Sequence, residues 1–215
     1  MKRLIILIVA ALAITSTAFA QSQVVVKEAT GKVEAKTGAG TWRPAPAGTK
    51  LALGSFISTG FSSTAILDLG TSTLTVAPLT RMQIVDLVAK QGTVSTSVFL
   101  RVGKVHAEVK STTGVRQDFL LKAPQATAAV RGTEFDFDGL TLTVVNGVVL
   151  FSNALGQSRS VPAGEGSSTD GTQLPTTGDQ QLDSQVGVVP YTSPTGTGVL
   201  PTGQTQPATV TITWQ

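Results

Sequence analysis

Between Val24 and Val161, short runs rich in β-branched residues are interrupted by turn residues about every eight to twelve positions, a rhythm that suits strands joined by tight connections. No helix of ordinary length fits between such breaks. The spacing predicts strands over Val24 to Glu28, Lys32 to Lys36, Ser55 to Ser58, Thr64 to Leu69, Thr73 to Val76, Arg81 to Leu87 and Val94 to Leu100. Further strands are expected over Lys104 to Lys110, Asp118 to Lys122, Ala126 to Val130, Thr133 to Asp138, Leu140 to Val145, Val148 to Ser152 and Ser158 to Val161. Ile84 to Ala89 has the apolar content for one helical turn, but so short a window cannot hold a helix. Gly38 to Gly48 reads as a loop, because Pro44 and Pro46 have no N–H to give to a ladder. The fold class is therefore all-β, a sandwich or a short β-solenoid or roll.

The first twenty residues stand apart. Lys2 and Arg3 precede an apolar run from Leu4 to Ile14, and Ala18-Phe19-Ala20 places small residues where a signal peptidase cuts. Residues 1–20 are read as a signal peptide and Gln21 as the mature N-terminus. The run is too short for the roughly twenty residues that span a bilayer, and no later stretch offers a transmembrane helix. With no cysteine in the chain, disulfides, a lipid-modified cysteine and a thiol nucleophile are all excluded. Export without cysteine suits a bacterial envelope, periplasmic or extracellular.

Charge and composition divide the rest near residue 164. Residues 21–164 carry fourteen basic and nine acidic side chains, whereas from Glu165 onward there are no basic and four acidic ones. The mature chain is thus close to neutral, and along the sequence its few aromatics are not interleaved with arginines. Nucleic acid is not an expected partner. In residues 165–215, Gly, Pro, Ser, Thr and Gln supply 35 of 51 positions, too little apolar surface to offset ordering entropy. A β domain over 21–164 followed by a disordered low-complexity tail over 165–215 is expected. Only Val210 to Trp214 alternates as a terminal strand would, able to pair with a sheet edge of this domain or of a partner.

Two stretches carry a family likeness. Gly48-Thr49-Lys50-Leu51-Ala52-Leu53-Gly54-Ser55-Phe56-Ile57-Ser58-Thr59-Gly60 and Ser63 to Leu69 resemble the front half of a FecR domain, with its glycine-framed turn and "I-x-T-G". Pro124 and Ala126, then Val130-Arg131-Gly132-Thr133-Glu134-Phe135, Gly147-Val148-Val149 and Ala163-Gly164 resemble its "T-P-x-A", "V-R-G-T-x-F", "G-x-V" and "A-G" signatures in order. The resemblance covers roughly residues 24 to 164. Gly54-Ser55 replaces the family's common Gly-Asp, Lys122-Ala123 precedes Pro124 without the usual threonine, and Gly70-Thr71-Ser72 replaces Asp-Gly-Ser. FecR-type regulators join a cytoplasmic sigma-factor-binding segment through a membrane span to the periplasmic domain. Here a signal peptide leads directly into the domain, so the resemblance implies envelope sensing, docking or scaffolding, with an envelope or outer-membrane protein or a glycan as partner.

Catalytic chemistry finds little support. His106 is the one histidine, and in Lys104 to Lys110 it alternates with Val105, Ala107 and Val109 as part of a wet strand face. One histidine and no cysteine also argue against zinc or copper. Glu134, Asp136 and Asp138 are expected on one face of a strand, neighbours about 7 Å apart, opposite Phe135 and Phe137. They are the weak metal candidates and the alternative carbohydrate-hydrolase site. An EF-hand register begun at Glu134 ends on Val145 where a glutamate is needed, so a solvated polar face is the preferred reading. Gly132 is expected at a positive φ or a close approach, with Arg131 bonding carbonyls of a neighbouring turn or reading a ligand. Trp42 is the second candidate binding residue, as a sugar or partner contact or as a cap on the core. No motif asks for a cofactor, and the chain reads as a non-enzyme.

Overall fold

The computed structural model describes residues 23–90, 92–111 and 113–177, and these form strands and turns without a helix. The strands are β1 (Val24–Thr30), β2 (Val33–Thr37), β3 (Arg43–Pro44), β4 (Lys50–Leu51), β5 (Ser55–Thr59), β6 (Thr64–Asp68), β7 (Ser72–Val76), β8 (Arg81–Lys90) and β9 (Thr93–Val102). They continue as β10 (Val105–Val109), β11 (Arg116–Lys122), β12 (Ala126–Val130), β13 (Glu134–Phe137), β14 (Thr141–Asn146), β15 (Val148–Asn153), β16 (Ser158–Pro162) and β17 (Gly166–Ser168). A first sheet has the order β17-β14-β13-β10-β7-β6-β1-β4, and a second β16-β15-β12-β11-β9-β8-β5-β2-β3.

The chain fills both sheets in step, crossing between them every one or two strands and moving from the β3/β4 end to the β16/β17 end. Glycine turns make the crossings cheap. Because β10 leaves for the first sheet, β11 returns to the second running parallel to β9, while the other described pairs are antiparallel. Both sheets turn one side of their alternating strands inward: β5, β7 and β12 bury every second residue. Phe119 of β11 meets Phe135 of β13 edge-on, centroids 6.5 Å apart, and Phe137 meets Phe151 of β15 at 6.0 Å. These T-shaped contacts join the sheets through one apolar core.

Two local expectations are corrected. Residues 43–44 form an edge strand inside the expected loop, since at the rim Pro44 deprives no inner neighbour of a donor. The expected strand from Arg81 to Leu87 is present and runs on to Lys90, with no helical turn over Ile84 to Ala89 and a bulge between Ile84 and Asp86. The ordered body also runs past Gly164. β17 pairs with β14, Thr169 N–H donates to the Leu140 carbonyl, and the Pro175 carbonyl accepts from Arg159 Nε at 2.9 Å. Threonine and serine hydroxyls supply bonds there that apolar content did not foretell. Residues 178–215, including the expected strand Val210 to Trp214, and residues 1–22 lie outside the described part. No helix among the described residues is long and apolar enough to cross a membrane.

Candidate functional site

A groove of about 790 Å³ lies on the outer face of the second sheet. Its floor is a cross-strand row, Asp86, Ser97, Leu120, Ala129, Leu150 and Ser160, one residue from each of β8, β9, β11, β12, β15 and β16. Small side chains at Ser97, Ala129 and Ser160 leave the depression, and Leu120 and Leu150 make it apolar. Leu150 is 45% exposed.

Beside the floor sits an ion cluster. Arg131 donates from Nη2 and Nε to one Asp118 oxygen at 2.8 and 3.1 Å, and Arg116 Nε approaches the same atom at 3.4 Å. The Arg131 hydrogen bond, with Arg116 adding to it, holds the Asp118 carboxyl below its ordinary value. Arg131 therefore borders the groove, as a ligand-reading residue would, but its partner is a carboxylate on β11 and not the turn carbonyls expected.

The remaining motif residues build the crossover that aims it. Val130 is buried in β12, Gly132 turns at φ +59°, and Thr133 is buried, its hydroxyl bonded to the Arg131 carbonyl. Phe135 then enters the core from β13. Gly147, at φ +87°, makes the next crossover, where a Cβ would meet the Gly132 carbonyl at 2.9 Å. Pro124 lies exposed in the β11–β12 turn and Ala126 is buried at its far side. These are structural roles, in backbone turns at Gly132 and Gly147 and in core packing at Val130, Ala126 and Phe135.

The acidic strand is not assembled as expected. Only Glu134 and Asp136 share the outer face of the first sheet, where His106 stands between them at 3.4 and 3.5 Å and Lys104 lies 3.6 Å from Asp136. Asp138 falls beyond the strand end, because β13 stops at Phe137. Its oxygen accepts the N–H groups of Leu140 and Thr141 at 3.0 and 2.7 Å, closing the β13–β14 turn. Glu134 borders a small hollow of about 290 Å³ that neither Asp136 nor Asp138 lines. Among the described residues no three such side chains are disposed to hold a metal ion.

Trp42 is half-buried on the outer face of the second sheet, with Lys36 and Arg81 over its ring at 5.3 and 5.2 Å. It caps no core. Residues missed from the sequence are Asp118, Arg116, Leu120 and Leu150. A signal existed: Phe119-Leu120-Leu121 and Val148-Val149-Leu150-Phe151 are unbroken apolar runs, which on alternating strands must turn apolar side chains outward as well as inward.

Residues 55–150, from β5 into β15, match the family described as FecR protein. No curated protein matches the chain. Two crystal structures of a candidate anti-sigma factor from Parabacteroides distasonis ATCC 8503 align with 61% of this chain, at 15% and 16% identity and TM-scores of 0.46 and 0.47. The aligned part spans 65% and 64% of those chains. The motif order, the crossovers those motifs build and the family match agree: this chain contains a FecR domain, centred on residues 55–150.

Proposed function

We propose that the protein is an exported, non-catalytic FecR-like binding module of the bacterial cell envelope, acting in sensing or scaffolding. The groove carries this reading. It offers an apolar floor and an arginine-carboxylate cluster on a rigid sheet, a surface made for docking. The carboxylates of the hydrolase alternative stand instead on the wet face of the first sheet, with His106 and Lys104 beside them, and Asp138 is spent on a turn. The basic n-region, apolar run and Ala18-Phe19-Ala20 support export with cleavage before Gln21.

A photo-crosslinking side chain placed at Leu150, in the groove, and at Thr143, on the first sheet, tests the docking reading in envelope extracts. Adducts from position 150 and none from 143 are expected. Equal or absent labelling at both sites overturns the groove as the docking face. N-terminal sequencing of the same material is expected to begin at Gln21, and an intact Met1 overturns export by cleavage.

A further inference from the structure

Next to the groove, the outer face of the second sheet carries an alternating stack of cations and rings. Arg81 lies over Trp42 at 5.2 Å, Lys36 over Trp42 at 5.3 Å and over Phe56 at 5.1 Å, and Arg101 over Phe56 at 5.3 Å and over Phe99 at 5.8 Å. Three cations and three rings thus make five contacts within about 6 Å in one patch, the range in which a cation is attracted by a ring. The sheet register sets it up: Lys36, Phe56, Gln83, Phe99 and Lys122 lie in one cross-strand row over β2, β5, β8, β9 and β11. That row covers four strand spacings, about 19 Å.

The charges on this strip are not neutralised. Lys36, Arg81, Arg101 and Lys122 make no ion pair among the described residues, and Glu34, the acid on β2, is taken by Lys32 at 3.2 Å. The rings attract the cations electrostatically, and the N–H groups of Lys36, Arg81 and Arg101 make no side-chain hydrogen bond among the described residues, which leaves donors for an outside acceptor. We infer that this strip binds a linear acidic polysaccharide, its carboxylates taken by Lys36, Arg81 and Arg101 and its sugar rings lying against the aromatic edges.

The geometry favours a sugar chain over the other polyanions. A peptide gains its affinity from main-chain bonds at a sheet edge, whereas β5, β8 and β9, which carry Phe56, Arg81, Phe99 and Arg101, are inner strands paired on both sides. A stiff sugar polymer loses less conformational entropy on a surface that offers side chains alone. Nucleic acid bases need free ring faces for stacking, and cations already lie over all three rings. The inference names a class of envelope partner at a second surface, and for that location alone it rests on the reading above; failure of the Leu150 crosslink would leave it standing.

Affinity electrophoresis of the full chain tests it, with gels holding polygalacturonate, neutral dextran, polyglutamate or oligo-dT. Retardation by polygalacturonate, weakened by salt and absent in dextran, is expected. Arg101→Gln and Lys36→Gln should each weaken it about tenfold, the worth of one charge-assisted hydrogen bond. Lys27→Gln, an equal charge loss on the first sheet, should leave it unchanged. Melting curves confirm that each variant is folded. No retardation by polygalacturonate, equal retardation by polyglutamate or oligo-dT, or an equal loss in Lys27→Gln overturns the proposal.

Discussion

Gly132 is where backbone geometry and packing can be separated by experiment. Its φ of +59° puts any L side chain in the left-handed region, and an added Cβ would touch the Ser111 hydroxyl and sit 3.1 Å from the Ser111 Cβ. The left-handed conformation alone costs about 1–2 kcal/mol for a residue with a Cβ. Ser111 is exposed, so its hydroxyl swings aside and crowding adds little for alanine. Valine brings two further carbons against Ser111, and overpacking of that kind costs about 1–3 kcal/mol more. Asparagine tolerates positive φ and should cost least. For a domain of this size 1 kcal/mol is worth about 2–4 °C in melting temperature. Thermal unfolding followed by circular dichroism should therefore rank the parent above Gly132→Asn, then Gly132→Ala, then Gly132→Val. Adding Ser111→Gly to Gly132→Ala should recover little of the loss. If it recovers all of it, or if the asparagine variant melts as low as the valine one, crowding and not the dihedral explains this glycine. A silent Gly132→Val would refute both.

Glu134→Gln and Asp136→Asn, taken singly, should each change stability by less than about 0.5 kcal/mol, because both side chains are partly exposed; a larger loss by urea titration would give the acidic face a structural duty. Asp138→Ala should cost about 1 kcal/mol through two lost turn bonds, and Asp138→Asn, which keeps the acceptor, much less. Asp118 has a depressed carboxyl, so the stability it adds is present above the ordinary value of 3.8 and is lost as pH falls through its lower folded value. The gap in melting temperature between the parent and Asp118→Asn should be open at pH 7 and close under strong acid, and a gap independent of pH would refute the pairing with Arg131. Truncation after Thr177 should leave cooperative melting unchanged, whereas truncation after Gly164 removes β17 and should lower the midpoint by several degrees. Equal midpoints for the two truncations would return the boundary to Gly164.

Alternation and turn spacing are local properties, and they were enough to determine an all-β fold and most strand positions, while the FecR motifs were legible as a resemblance of short residue runs. They also foretold the special backbone at Gly132, because a glycine between Arg131 and Thr133 at a strand end has few other uses. Apart from Asp138, whose turn partners are local, the corrections arose where a bond partner lies far along the chain. Residues 165–177 look too polar to order, yet Leu140, Asn153 and Arg159 supply partners for their backbone. Arg131 gave no sign of pairing with Asp118, thirteen residues earlier, because that contact exists once β11 and β12 lie side by side. The aromatic stack is the clearest case. Lys36, Trp42, Phe56, Arg81, Phe99 and Arg101 are scattered over 66 residues and form no compact motif in sequence. Tertiary structure alone decided that they interleave in space, because strand register, a long-range property fixed by the buried faces, sets which outward side chains become neighbours.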